Sequence, residues 1–497
     1  MVKLQTKNTS YSQILKSTTI FGGSQIFVVL IGIIRAKIIA ILLGTIGVGI
    51  IGVFYSIIDM LRSSYALGID TAGVKEIAEI NSLGDKQVLD KTISRYNFWF
   101  RIAAVFAAVT CIILAYPISI WAFDRTTLAP YIACLSISIF FAVITTGRSV
   151  ILQGMRKISH MAKSSVISGF IGLLVTAPLY YVWGVNSIAF AFVITFSISF
   201  LCTEFYYRKL KVQRVEVSFK EAYHTGFNTI RLGFYIFIGG SLSTITMFIV
   251  RAYITRSLDI HATGLFQAAW TITNVYLGLI LRSMGADFFP RLSAISSYKD
   301  KIKKLVNEQT YIILVVAPAA IVLMLLFSDF ALHVLYSEDF AEANKILRWQ
   351  ILGTYFKVLS WPMAFIMLAK GKGKLYLLLE AIFFIVYLGS SYLLSDKYGL
   401  DAVGFGFCIA YIVYLPMAIY ISKKIADFNW NRGIIEKVFV NLILILIAFY
   451  FSHYYRGNDM LVFEVIILIV TLGYAYFNLK KVFSINDIKR WFRKDDN

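Results

Sequence analysis

Residues 21–73 read FGGSQIFVVLIGIIRAKIIAILLGTIGVGIIGVFYSIIDMLRSSYALGIDTAG, two long apolar runs joined by a glycine-rich segment at 44–52. Charged side chains lie inside both runs. The stretch recurs 217 residues later without a gap: Gly47 aligns with Gly264, and Asp70 aligns with Asp287. A long internal repeat of apolar segments indicates a duplicated membrane bundle. We expect function to lie in the groove between its halves.

The composition indicates a polytopic helical membrane protein. Of 497 residues, 58% are hydrophobic and 15% are charged, and the mean hydropathy is +0.72. Apolar runs recur that are long enough to cross a hydrocarbon core of about 30 Å. We predict an all-α fold of about fourteen transmembrane helices, at 14–42, 50–72, 96–116, 129–152, 162–183, 187–207, 228–255, 264–287, 309–328, 346–369, 375–394, 402–422, 437–455 and 460–479.

The distribution of basic residues predicts the orientation of these spans. With the N-terminus in the cytoplasm, 33 of the 48 Lys and Arg residues fall in inner segments and 6 in outer loops. Cytoplasmic loops are enriched in Lys and Arg, so both termini are expected to be cytoplasmic. The net charge of +20 is then mostly charge at the cytoplasmic edge, facing anionic lipid, and not a nucleic-acid patch.

The duplication predicts the domain organisation. Spans 1–6 form an N-lobe at 1–207, and spans 7–12 form a C-lobe at 227–422. A basic cytoplasmic linker at 208–226 joins them, and 423–497 adds two spans and a basic tail. Because each repeat holds an even number of spans, both enter the membrane in the same direction. Their pseudo-twofold axis should therefore run along the membrane normal.

No sequence motif indicates an enzyme, a cofactor or a metal site. The GxGxxG match at Gly47–Gly52 lies at a turn between two spans and follows no strand, so it predicts helix packing. Gly371-Lys-Gly-Lys374 lacks the spacing and the Ser/Thr of an ATP-binding loop. The four cysteines are scattered singly in apolar runs, which is typical of small buried side chains.

Ionisable residues within the spans are the candidate functional residues. A charge at the bilayer centre costs about 2.5–3.5 kcal/mol even on translocon-insertion scales, which give the lowest values. Such groups should therefore face water or a partner. Most of them are cationic, which suits an anionic cargo, and arginine suits phosphate because its fork donates two parallel hydrogen bonds. The predicted substrate-binding residues are Arg35, Arg62, Arg251, Arg282 and Lys357.

Other charged residues have alternative interpretations. Asp59 lies one turn from Arg62 on the same face, and a purely structural pair is an alternative to a binding role. Asp70 and Asp287 follow matched glycines at the inner ends of two spans, where gating and helix capping are both open. Glu380 is the remaining candidate for a gate or a structural pair. Arg101 and Arg148 lie nearer the inner interface and are expected to be anchors.

Several segments resemble a known family. The six-span repeats, the outer glycine-rich turn and the cytoplasmic helix after span 2 resemble the multidrug/oligosaccharidyl-lipid/polysaccharide (MOP) exporter superfamily. The segments Val334-Leu-Tyr-Ser-Glu-Asp-Phe340, Trp349-Gln-Ile-Leu-Gly-Thr-Tyr-Phe-Lys-Val358, Ala369-Lys-Gly and Tyr398–Tyr414 are similar to Wzx-type polysaccharide flippases. The last two spans depart from the twelve-span Wzx pattern and are similar to the lipid II flippase branch.

The resemblance implies a function, a location and partners. It implies transfer of an undecaprenyl-diphosphate-linked oligosaccharide from the cytoplasmic to the periplasmic leaflet of a bacterial inner membrane, by alternating access through a cationic central cavity. The implied partners are that lipid, membrane lipids, a polysaccharide polymerase and its chain-length machinery. A cation-coupled drug or metabolite exporter of the same superfamily is the alternative. A membrane glycosyltransferase or polymerase is disfavoured, because no sizeable outer loop carries paired acidic residues.

Overall fold

The computed structural model is all-helical over the part of the chain that it describes. It describes residues 2–66, 69–213, 215, 219–276, 288–289, 291–454 and 461–482, with no strand among them. The helices are α1 Val2–Ala66, α2 Ile69–Leu83, α3 Lys86–Phe123, α4 Ala129–Gly154, α5 Ile158–Trp183, α6 Ile188–Arg208, α7 Phe219–Ser257, α8 Ile260–Trp270, α9 Lys299–Leu326, α10 Ser328–Leu335, α11 Ala343–Ala369, α12 Gly373–Tyr398, α13 Asp401–Ala426, α14 Arg432–Tyr454 and α15 Leu461–Val482.

The first element is a hairpin of two helical segments. Gly44 interrupts α1 with φ 60° and ψ −164°, a conformation open to glycine because it lacks a Cβ. Arg35 donates a hydrogen bond to the Thr195 hydroxyl of α6 at 3.3 Å, and the Tyr55 ring lies 6.3 Å from the ring of Phe192, three residues earlier on the same helix. In a continuous helix, twenty residues would separate Arg35 and Tyr55 by about 30 Å, so the chain must reverse at Gly44. The two apolar runs joined at a glycine-rich turn are therefore confirmed.

Ten helical stretches within the described residues are long and apolar enough to span a membrane. Two of them contain a break: one is Phe27–Ala66, which includes Gly44, and the other is Ile158–Arg208, which contains both α5 and α6. The predicted span at 264–287 lies partly outside the described residues. A multi-pass helical membrane protein is thus confirmed, while the count of fourteen spans and their repeat arrangement stay predictions.

The helices divide into two compact units. Unit 1 comprises Met1–Gly264 with Leu335–Ser337, and unit 2 comprises Leu265–Val334 with Glu338–Asn497. The predicted lobe boundaries at 207 and 227 stay a prediction. Helix α6 ends at Arg208 and α7 begins at Phe219, which lies within the predicted linker.

In unit 1, small side chains let two helices approach closely. Buried Ala104, Ala107, Cys111 and Ala115 recur every three or four residues on α3, which packs along α4. The Cys111 Sγ atom lies 3.4 Å from the Ile132 carbonyl oxygen on α4. Within a bilayer, lipid tails are as apolar as leucine, so helices associate through close packing of small residues. Cys111 is thus one of these packed small residues.

In unit 2, packing centres on α11 and α13. Gly353 of α11 has no room for a Cβ atom, because Phe407 and the Cys408 backbone of α13 lie against it. Around this contact, aromatic rings of α12 and α13 meet edge to face, as Phe383 does with Phe407 at 6.3 Å. Helices α9, α14 and α15 pack together beside α11. This core positions the polar side chains of α11, α12 and α13.

Candidate functional site

Three arginines of unit 1 lie near one tyrosine. Arg35 and Arg62 lie on the two halves of α1, and Arg251 lies on α7, which packs along α1. All three guanidinium groups act electrostatically on the Tyr55 hydroxyl, as does the Asp59 carboxylate. The hairpin at Gly44 brings the two halves of α1 together. We call Tyr55, Asp59, Arg35, Arg62 and Arg251 the arginine cluster.

Arg62 and Asp59 form an ion pair within this cluster. The Arg62 Nη2 atom lies 2.5 Å from the Asp59 Oδ1 atom, and Arg62 Nη1 lies 3.5 Å from the Thr146 hydroxyl of α4. The two side chains are 38% and 34% exposed, so the pair is open to solvent. The pairing predicted from their spacing is therefore observed. With three arginines and one aspartate, the cluster keeps a formal charge of +2.

The other two arginines also donate hydrogen bonds to neutral oxygens. Arg35 Nη2 donates to the Thr195 hydroxyl of α6 at 3.3 Å. Arg251 is only 6% exposed, and its Nη1 donates to the Met247 carbonyl oxygen at 3.3 Å. A neutral oxygen accepts a hydrogen bond without cancelling the positive charge, so an anion gains more at Arg35 than at an arginine with a carboxylate partner.

In unit 2, a lysine and a glutamate share an aromatic environment. Lys357 of α11 donates to the Asn274 side-chain oxygen at 2.8 Å, and its Nζ lies 6.0 Å from the centre of the Tyr411 ring. Glu380 of α12 accepts a hydrogen bond of 2.9 Å from the Tyr414 hydroxyl. Lys357 and Glu380 also act on each other electrostatically. Unit 2 thus places its candidate cation and a carboxylate beside neighbouring tyrosines of α13.

Some predicted site residues are not placed by the structure. Arg282 and Asp287 lie outside the described residues. Asp70 is the second residue of α2, and nothing is described of its side chain. Their proposed roles in binding, gating or capping stay predictions.

Arg148 needs a correction, because its predicted role as an interfacial anchor is wrong. Its residue is only 7% exposed, and its Nε atom lies 2.7 Å from the Glu204 carboxylate of α6. Arg148 Nη1 also donates to the Asn97 side chain of α3, and its guanidinium carbon lies 4.0 Å from the centre of the Tyr207 ring. Arg148 therefore joins three helices inside unit 1.

Sequence reasoning did not identify the neutral partners of the cations. Tyr55 lies four residues before Asp59 and seven before Arg62, a spacing that places all three on one helical face and that was a usable signal. Asn274 lies in a π-helical segment, Thr271–Tyr276, that follows α8. Such irregular turns are frequent at functional sites but carry no clear sequence signal. Tyr411 and Tyr414 resembled ordinary packing residues.

Comparison with known proteins identifies the family. A family model described as "Polysaccharide biosynthesis protein" matches residues 38–345, more than half of the chain. The chain belongs to this polysaccharide biosynthesis protein family. One relative of this family member is the "Lipid III flippase" of Escherichia coli (strain K12), which is 21% identical over 403 residues, 78% of this chain and 92% of the relative.

Solved structures show the fold of this family member. It matches "Lipid II flippase MurJ, inward closed conformation" with a TM-score of 0.73 at 16% identity, over 93% of this chain and 98% of that one. It also matches an inward-facing multidrug resistance MATE family transporter of the MOP superfamily, with a TM-score of 0.67 at 17% identity, over 80% of this chain and 96% of that one. The predicted resemblance to Wzx-type flippases of the MOP superfamily is confirmed.

Proposed function

We propose that this family member is a flippase for an undecaprenyl-diphosphate-linked oligosaccharide, such as an O-antigen repeat unit, and moves it from the cytoplasmic to the outer leaflet of a bacterial inner membrane. The observation that carries the proposal is the arginine cluster, in which Arg35, Arg62 and Arg251 lie near Tyr55 on two helices that pack together. The E. coli relative named as a lipid III flippase supports the same class of cargo.

The chemistry of the cluster suits a diphosphate that must be released. Arginine donates to phosphate oxygens in a planar fork, and three arginines spread the contact over several donors. Tyr55 is 55% exposed and offers one more hydroxyl group. Asp59 already occupies part of the Arg62 fork, which weakens the hold on a second anion. A spread of partly compensated donors thus favours transient binding.

We propose that the arginine cluster and Lys357 line a cationic cavity through which the diphosphate passes by alternating access, with Arg282 contributing. Asp70, Asp287 and Glu380 are proposed to act in gating or in structural pairing. The cargo carries about two negative charges. With the cytoplasm negative, outward movement gains about 2.3 kcal/mol per charge per 100 mV. The membrane potential can therefore drive transfer without ATP. We propose that both termini lie in the cytoplasm and that a polymerase with its chain-length machinery receives the cargo outside.

Reconstitution tests the proposal. The purified protein is placed in liposomes that contain a fluorescent undecaprenyl-diphosphate oligosaccharide, and an added glycosidase reports which leaflet holds the sugar. We expect protein-dependent transfer that becomes faster when a potassium gradient makes the compartment of origin negative, and slower when the potential is reversed. Transfer at the rate of protein-free liposomes would contradict the proposal.

One observation favours the alternative function, a cation-coupled drug exporter. Glu380 is a carboxylate with a tyrosine donor and a neighbouring lysine, an arrangement that can exchange a cation or a proton. A drug-resistance assay in a strain that lacks its own efflux pumps separates the two functions. Raised resistance to several unrelated cationic drugs, without complementation of a flippase-deficient strain, would favour the exporter.

A further inference from the structure

Unit 1 contains a polar cavity that shares no residue with the arginine cluster. It measures about 280 Å³ and lies where α3 begins and where α4 and α6 end. The segment that follows α6 closes one side, and the Val215 backbone N–H donates to the Ser94 hydroxyl of α3 at 3.1 Å. The polar and charged residues that line it are Ser94, Asn97, Arg101, Arg148, Glu204, Tyr207, Arg208, Lys211 and Gln213.

The lining of this cavity is strongly cationic. Four cations face a single carboxylate, Glu204. Glu204 is 2.7 Å from Arg148 Nε and 3.0 Å from Arg208 Nε, so it compensates two of the four. The side chains of Arg101 and Lys211 are exposed, and they make no ion pair or hydrogen bond with any residue in the described part of the chain. The cavity therefore has two free cationic donors.

The cavity lies at the level expected for lipid headgroups. Helix α6 has 21 residues, about 32 Å at 1.5 Å per residue, which matches the hydrocarbon core of about 30 Å. Its polar end, from Glu204 to Arg208, therefore emerges at the membrane surface. The distribution of Lys and Arg places this end in the cytoplasmic leaflet.

We propose that this cavity binds the phosphate group of an anionic phospholipid from the cytoplasmic leaflet. Arg101 and Lys211 donate to the phosphate oxygens, and the buried Arg148–Glu204 pair holds the three helices around it. Basic pockets between transmembrane helices on the cytoplasmic side suit such headgroups. The polyprenyl phosphate of the cargo has the same phosphate chemistry. A phospholipid is favoured because the cavity lies at the leaflet surface, where the Arg101 and Lys211 side chains are exposed.

Native mass spectrometry of the full-length protein in detergent tests this assignment. Phosphatidylglycerol, phosphatidylethanolamine and undecaprenyl phosphate are titrated separately onto the wild type and onto an R101Q/K211Q variant. At about fivefold per cation lost, the variant should bind phosphatidylglycerol about 25-fold more weakly. Phosphatidylethanolamine should bind the wild type more weakly than phosphatidylglycerol does, and the variant should bind it with the same affinity as the wild type.

A matched control removes two exposed cations outside the cavity. Lys157 and Lys163 flank the start of α5 on the same predicted face, and neither lines the cavity. The K157Q/K163Q variant has the same net charge as R101Q/K211Q and should bind phosphatidylglycerol within twofold of the wild type. Equal loss in both variants, or unchanged affinity in R101Q/K211Q, would overturn the proposal. If R101Q/K211Q lost affinity for undecaprenyl phosphate alone, the proposal would also be overturned, and the cavity would be assigned to the cargo.

Discussion

The Thr45 hydroxyl and the His261 Nδ1 atom lie 2.6 Å apart, in a hydrogen bond between residues separated by 216 positions. The bond lies where the start of the second half of α1 meets the start of α8. Gly49 and Gly264 make this approach possible, because a Cβ on either would collide with a backbone oxygen, that of Ile260 or that of Thr45. The glycine-rich turn and its sequence echo at Gly264 therefore contact each other directly.

Replacing Gly264 with alanine should destabilise this contact. The added methyl group meets the Thr45 carbonyl oxygen, which belongs to the backbone and cannot rotate away. Overpacking costs typically about 1–3 kcal/mol, and a backbone clash lies at the upper end of that range. We expect a lower midpoint of thermal unfolding in detergent and reduced transport. Gly32→Ala on α1 is the control, since nothing lies within 4 Å of its Cβ. If G264A melted like G32A, the close approach would be refuted.

Removing Glu204 should be more harmful than removing the whole ion pair. The Arg148 and Glu204 side chains are 9% and 13% exposed, so Glu204→Ala leaves a buried guanidinium without its carboxylate. Breaking one partner of a buried pair costs about 3–5 kcal/mol, whereas apolar replacement of both is often close to neutral. Thermal unfolding should therefore rank E204A below R148L/E204L. The reverse ranking would mean that the pair itself, and not its charge balance, stabilises α4 against α6.

Removing the Tyr414 hydroxyl should weaken the environment of Glu380. Tyr414→Phe deletes the donor of the 2.9 Å hydrogen bond to the Glu380 carboxylate. Hydrogen bonds to charged groups contribute about 1.5–3 kcal/mol, so we expect a measurable fall in the free energy of unfolding. Tyr411→Phe on the same helix is the comparison, because no hydrogen bond of its hydroxyl to a described residue is observed. Equal melting of the two variants would contradict a stabilising bond at Glu380.

The local features of the fold could be predicted from the sequence. Glycine at position 44 predicted a turn, because glycine tolerates backbone conformations that other residues avoid. The apolar runs on either side predicted two spans, because apolar side chains are stable in the bilayer. The duplication also predicted that Arg251 occupies a depth close to that of Arg35, and both act on Tyr55. These inferences required only helical periodicity and matching positions.

Long-range pairing explains what the sequence did not reveal. Arg148 is 56 residues from Glu204, and nothing local indicated that α6 would supply its carboxylate. Asn274 reaches Lys357 across 83 residues, from a π-helical segment that no propensity predicts. A charged residue deep within a span needs a partner, and the sequence shows this. Which residue becomes the partner depends on how the helices pack.

The most direct test compares two arginines of α7. Arg251 is 6% exposed and belongs to the arginine cluster, whereas Arg256 is exposed in the last turn of the same helix. Flippase-deficient cells that produce R251Q or R256Q at equal levels in the membrane are assayed for surface polysaccharide. The account predicts at least a tenfold loss for R251Q, the equivalent of about 1.4 kcal/mol, and wild-type amounts for R256Q. Full surface polysaccharide with R251Q would contradict the claim that the arginine cluster binds the anionic part of the cargo.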